Sequence, residues 1–199
     1  MAGAFPISSA KFGTLGIKSN QTTILSKSVS GKKLARQLDN QRWSFTIQII
    51  TAKRSDVYGD LMAFILKQRS GKENFTIVPP EIEDARGTAS GTPNGTASAG
   101  ATSITLGGSG TGTLKAGDFI KFANHNKVYM VVADQNDIST GSLTIEPPLT
   151  TAVSSSDIQY DNVPFTVHLT NDMQQFGVSG ADKDGNLYYE YQFDVEEAL

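Results

Sequence analysis

The chain has 199 residues, enough to bury a core as one domain or two small ones. With 38% hydrophobic and 19% charged residues and 19 glycines, it is suited to short strands joined by many turns. The absence of cysteine excludes disulfides, thiolate nucleophiles and Cys-based zinc sites.

No run reaches the roughly 20 apolar residues that span a bilayer. The opening MAGAFPISSAKFG lacks the charged and apolar regions of a secretory signal, so no membrane association is expected. The net charge of −3 conceals a division along the chain. Residues 1–80 hold 12 Lys/Arg against 4 Asp/Glu, a net +8, and residues 81–199 hold 5 against 16, a net −11. Either the two halves face each other or present separate solvated faces, or the charges set the register between head-to-tail neighbours.

In chain order, Lys27, Lys32, Lys33, Arg36 and Arg42 form a basic cluster ahead of the first clear strand. Clustered cations can bind phosphate by counterion release, but no aromatic residue interleaves with them for base stacking. A solvated or subunit-facing charged loop is therefore expected, and no nucleic-acid partner. In WSFTIQII, Trp43, Phe45, Ile47 and Ile49 alternate with polar residues, the period of a half-buried strand. Val57, Leu61, Phe64 and Ile65 then share one helix face, with Ser55 or Asp56 as the expected cap and Gly71 as the left-handed end. FTIV is a short strand stopped by Pro79 and Pro80.

Residues 87–103, GTASGTPNGTASAGATS, have too little apolar content to order themselves alone and read as a linker or flexible loop. GGSGTGT follows, without the sequence or context of a phosphate loop. Strands are expected at Ile104–Leu106, Phe119–Phe122, Lys127–Val132 and Ser142–Ile145, with turns at 116–118 and 124–126. Strands this short and frequent suggest a barrel-like unit of about 60 residues. NVPFTVHLT and QQFGVSG resume the earlier pattern. After a turn at Asp184–Gly185 comes LYYEYQFDVEEAL, with Leu187, Tyr189, Tyr191, Phe193 and Val195 on one face and Tyr188, Glu190, Gln192 and Asp194 on the other.

The expected fold is mainly β: a β-sandwich with one α-helix, formed by residues 1–85 and 161–199 and interrupted at 86–160 by the glycine-rich linker and a small inserted barrel-like domain. No catalytic, cofactor or metal residue is assigned. No GxSxG elbow is present. Asp182, Asp184 and Asn186 have the spacing of the first calcium-loop ligands, but the glycine is misplaced and Phe193 stands where a bidentate Glu is needed. A hairpin turn explains them better than a weak surface calcium site. His125 and His168 are the only histidines and read as turn and sheet residues. Asn20, Asn74 and Asn94 open glycosylation-type triplets that carry little weight without a secretory signal.

The succession FPISSAKFGTLGIKSNQTTILSKSVSGKKLARQLDNQRWSFTIQI, the helix ending LKQRSGKENFTIVPP, and the closing VPFTVHLTNDMQQFGVSG and YYEYQFDVEEAL resembles the distal tail (minor tail) proteins of long-tailed bacteriophages. The resemblance covers roughly 5–85 and 160–199. It implies a structural, non-enzymatic virion protein at the distal end of the tail, forming a ring, commonly hexameric, that joins the tail tube protein to the tip or baseplate hub. Larger members of that family carry added modules, some resembling carbohydrate-binding domains. The insert would then be a binding module touching host glycan or another tail protein, although Phe119, Phe122, Tyr129 and Tyr160 are its only aromatic residues. Interface candidates are Lys27, Lys32, Lys33, Arg36, Arg42, Tyr188 and Glu190.

Overall fold

A computed structural model describes residues 3–7, 11–38 and 41–199. Residues 8–10 and 39–40, within the run that carries the resemblance, lie outside the described residues. The fold is mainly β, with one α-helix and a closed six-stranded barrel.

The host unit is built on one six-stranded sheet. Its strands are β1 (Phe12–Asn20), β4 (Arg42–Lys53), β14 (Leu187–Glu197), β12 (Phe165–Leu169) and β5 (Phe75–Ile77) in that order, with β13 (Gly177–Ala181) pairing the far end of β14. β4 carries the expected alternation: Trp43, Phe45, Ile47 and Ile49 are buried and the residues between them are partly exposed. β14 continues it with Tyr191, Phe193 and Val195. Phe45 meets Phe165 edge-on at 4.9 Å, and Tyr191 stacks on Phe193 at 5.1 Å. Each such buried side chain contributes about 1.5–3 kcal/mol. Leu187 is exposed, because β14 runs out beyond the core before its first residues find a cover.

The layer facing this sheet is α1 (Gly59–Lys67), through Leu61 and Ile65, together with Phe119 and Val128 from the inserted barrel and Phe5 from the N-terminal segment. The helix does not begin on a Ser55 or Asp56 cap. A π-helical turn, Arg54–Tyr58, leads into it, and the Ser55 hydroxyl bonds the Asp56 side chain instead of a backbone N–H. Gly71 is left-handed as expected, but Arg69 and Ser70 before it are too, so the chain leaves the helix through three such residues. A Cβ on Gly71 would stand 2.3 Å from the Leu169 carbonyl oxygen.

The barrel closes in the order β10 (Ser142–Glu146), β7 (Ser103–Gly108), β6 (Pro93–Ala97), β11 (Val153–Gln159), β8 (Phe119–Phe122) and β9 (Val128–Val131). The segment read as a linker contains β6, which pairs with both β7 and β11. Its glycines let backbones approach rather than swing. Gly95 lies where a Cβ would come within 2.8 Å of both Ile104 and Phe122. Upstream, Ser90 and Thr111 exchange backbone hydrogen bonds at 2.9 Å, and the hydroxyl pairs Ser90–Thr111 and Thr92–Ser109 bond each other. The two glycine-rich runs therefore zip together.

Candidate functional site

Two features leave the host sheet at the end where β4 begins, and they contrast in every physical respect. The first is a hairpin arm, β2 (Thr23–Lys27) with β3 (Lys33–Gln37), which prolongs the β1–β4 ribbon past the sheet. Leu38 N–H bonds the Thr22 carbonyl at 2.9 Å at its root, and at the tip Ser28 N–H bonds the Lys32 carbonyl at 3.0 Å while Lys32 N–H bonds the Ser28 hydroxyl at 3.1 Å. The arm is thus ordered by its own hydrogen bonds. Yet every residue of both strands is exposed.

Side chains alternate across a strand, so the arm has two faces. Leu25 lies opposite Ala35 on one, next to the opposed pair Lys27 and Lys33 toward the tip; Ile24, Leu34 and Leu38 share the other with Arg36. Both faces mix exposed aliphatic side chains with cations, and Val29 projects fully from the tip. Four interface candidates, Lys27, Lys32, Lys33 and Arg36, sit on this arm. Arg42 does not: it lies on the sheet, bonded to Glu196 at 3.1 Å.

The second feature is the seat of the barrel, where Lys127 and Glu197 are 1% and 0% exposed. Lys127 Nζ donates to Glu197 Oε2 at 2.5 Å and to Gln41 Oε1 at 2.7 Å, and lies 5.8 Å from the Trp43 ring centroid. Glu197 also accepts from the backbone N–H of Val128 at 2.8 Å and of Trp43 at 3.2 Å. The Trp43 indole N–H donates to the Val128 carbonyl at 2.9 Å, and its ring meets Phe119 edge-on at 5.2 Å. Burial pulls the Lys127 ammonium below its ordinary range, opposed by the carboxylate of Glu197. A buried charge pair is tolerated only when hydrogen bonds satisfy both partners. Here they do.

Gln41, Lys127 and Glu197 were not singled out from the sequence. Glu197 was discoverable: continuing the alternation of Tyr191, Phe193 and Val195 puts it on the core face, where a charge requires a partner. Gln41 stands in the same relation to Trp43.

At the other end of β14, Tyr188 lies 5.7 Å beneath Lys53, and Lys53 binds Asp182 at 2.8 Å. Asp182 also accepts from the N–H groups of Asp184 and Asn186 and from the Asn186 amide, each at 2.8–2.9 Å. These bonds, with Lys53 first, hold its carboxyl well below the usual range. They account for Asp182, Asp184 and Asn186 as a hairpin turn. Among the described residues no three His, Asp or Glu side chains gather as a metal site would need. Glu190 is exposed on β14 beside Gly177.

In the barrel, Phe119, Phe122, Tyr129 and Tyr160 are all buried, so none offers a platform for sugar stacking. His125 bonds Tyr129 and Asn124 at 2.7 Å each, and burial, with Lys121 and Lys127 nearby, keeps it below its ordinary value. His168 lies on β12 opposite Glu196.

Comparison with curated proteins gave no match. Residues 83–163, which take in the whole barrel, match the family described as distal tail protein pb9, B domain. The barrel is similar to that B domain, and the match supports a structural role in the bacteriophage tail for the chain that carries it.

Proposed function

We propose that this protein is a ring-forming adaptor at the distal end of the tail, joining the tube protein to the tip or baseplate hub, with six copies in the ring as the family resemblance implies. The observation that carries the reading is the arm. A hairpin whose strands bury nothing, yet whose faces display Ile24, Leu25 and Leu34, is completed only by another surface. An isolated two-stranded hairpin is marginal in water, so the cover contributes to its stability.

β1 supports the same reading. Among the described residues it pairs only with β4, leaving an edge of nine residues open to a neighbour. The opposite edge, β5, is already covered: Phe5 N–H bonds the Thr76 carbonyl at 2.7 Å and Thr76 N–H bonds that of Gly3 at 3.1 Å. An open edge on one side and a closed one on the other favour directional contacts, which form rings when the rotation closes. Electron microscopy of the purified protein mixed with tail tube protein tests this. Closed rings capping tube ends are expected; uniformly monomeric particles at high concentration would defeat the reading.

A further inference from the structure

The large exposed apolar side chains among the described residues gather at two places. Ile17, Ile24, Leu25, Val29, Leu34 and Leu38 lie on β1 and the arm. Met173, Val178 and Leu187 lie on and just before the β13–β14 hairpin. Leu66, Val132 and Leu199 stand apart from both groups in the chain.

The two groups occupy opposite ends of one sheet. The arm springs from the end where Ser44 faces Glu196, and the β13–β14 hairpin from the end where Lys53 faces Tyr188. The 11 residues of β14 separate them by roughly 35 Å at about 3.3 Å per residue. The arm's strands are five residues each, about 17 Å, so it is too short to fold back onto its own β13–β14 hairpin.

The β13–β14 hairpin is also built to receive. Val178 lies opposite Tyr189, and Leu187 shares that face, so an apolar stripe continues out of the core past Tyr191 and its stacked partner Phe176. The charges at the two ends are opposite. Among the described residues Lys27, Lys32, Lys33 and Arg36 form no ion pair, and residues 21–38 contain no acid. At the other end Lys53 is taken up by Asp182 and Lys183 by Asp184, and among the described residues no cation pairs with Asp172 or Glu190.

We infer that the β2–β3 arm of one copy packs on the β13–β14 hairpin of the next, apolar stripe against apolar face, with arm cations reaching round the β13 edge to Glu190, which leans over Gly177 on the hairpin's other face, and to Asp172. This rests on the ring reading above and names its contact. The interface is heterologous: the same two unlike patches meet at every junction, so no copy is left with an uncovered arm once the ring closes.

The absence of cysteine makes the test clean. Leu25→Cys and Val178→Cys variants, each purified alone and then mixed under mild oxidation, should yield a disulfide-linked heterodimer, with far less of either homodimer. Charge exchange gives a second readout. Lys33→Glu or Glu190→Lys alone should weaken assembly about tenfold or more, and mixing the two should restore it, because every junction of an alternating ring pairs opposite charges. If rings form but Leu25→Cys never links to Val178→Cys and the exchange rescues nothing, the contact is wrong and the ring reading stands. If the unmodified protein stays monomeric with and without tube protein, both fall.

Discussion

The barrel and the arm both depart from the host sheet, and both consist of short strands rich in small or polar residues. One is finished within the chain and the other is not. The barrel buries 14 side chains of its own and turns Phe119 and Val128 into the host core. Its one large exposed apolar residue is Val132. The arm buries none. A β element whose polar and apolar groups are satisfied internally is a rigid part, whereas one with outward aliphatic side chains on both faces is half of an interface.

The sharpest break of this contrast is at the barrel's seat. Lys127→Met should cost about 3–5 kcal/mol, because it strands the Glu197 carboxylate in a dry site; urea unfolding measures it. Replacing both, as Lys127→Met with Glu197→Leu, should recover part of that loss, since no unpaired charge remains but the N–H groups of Trp43 and Val128 and the Gln41 amide oxygen lose their partners. What the double variant should lose is the fixed seat, read as a broader distribution of barrel-to-host distances by spin-label measurements.

Next in size is the glycine-rich wall. Gly95→Ala pushes a methyl against Ile104 and Phe122 and should cost about 1–3 kcal/mol, while Gly180→Ala, where the added carbon meets nothing within 4 Å, should be close to neutral. Equal effects would mean that the 87–103 segment is a linker after all.

A smaller effect is expected from pH. Because the folded value of His125 lies below its ordinary 6.5, the unfolded chain takes up its proton first. The stabilisation from this group is complete above about pH 6.5 and is lost as pH falls through the folded value. His125→Gln should flatten that part of the stability profile and leave the neutral limb unchanged. The smallest effect belongs to the arm: Leu25→Ser and Lys33→Glu should change the monomer's stability by no more than about 0.5 kcal/mol. A large loss would show that the arm is part of the fold rather than of an interface.

The sequence was legible wherever burial imposes a period. Trp43 to Ile49 and Tyr191 to Val195 alternate because one face of each strand is dry. The 87–103 segment was misread because glycine and threonine leave no hydrophobic period. What orders β6 is contact with Ile104 on the paired strand β7 and with Phe122 on β8, one strand beyond its other neighbour β11. The helix start was misplaced because a serine beside an aspartate satisfied it locally. Among the surface residues, the basic cluster stood out by charge alone, but only the three-dimensional arrangement separates Arg42, held by Glu196, from the four cations carried out on the arm.

The central claim, that the arm is covered by a neighbouring copy, is tested most directly by mass in solution for the full chain and for a variant with residues 23–37 replaced by a two-residue turn. The account predicts a closed oligomer for the full chain, and a monomer of unchanged melting temperature for the variant. A variant that assembles as the full chain does would contradict it.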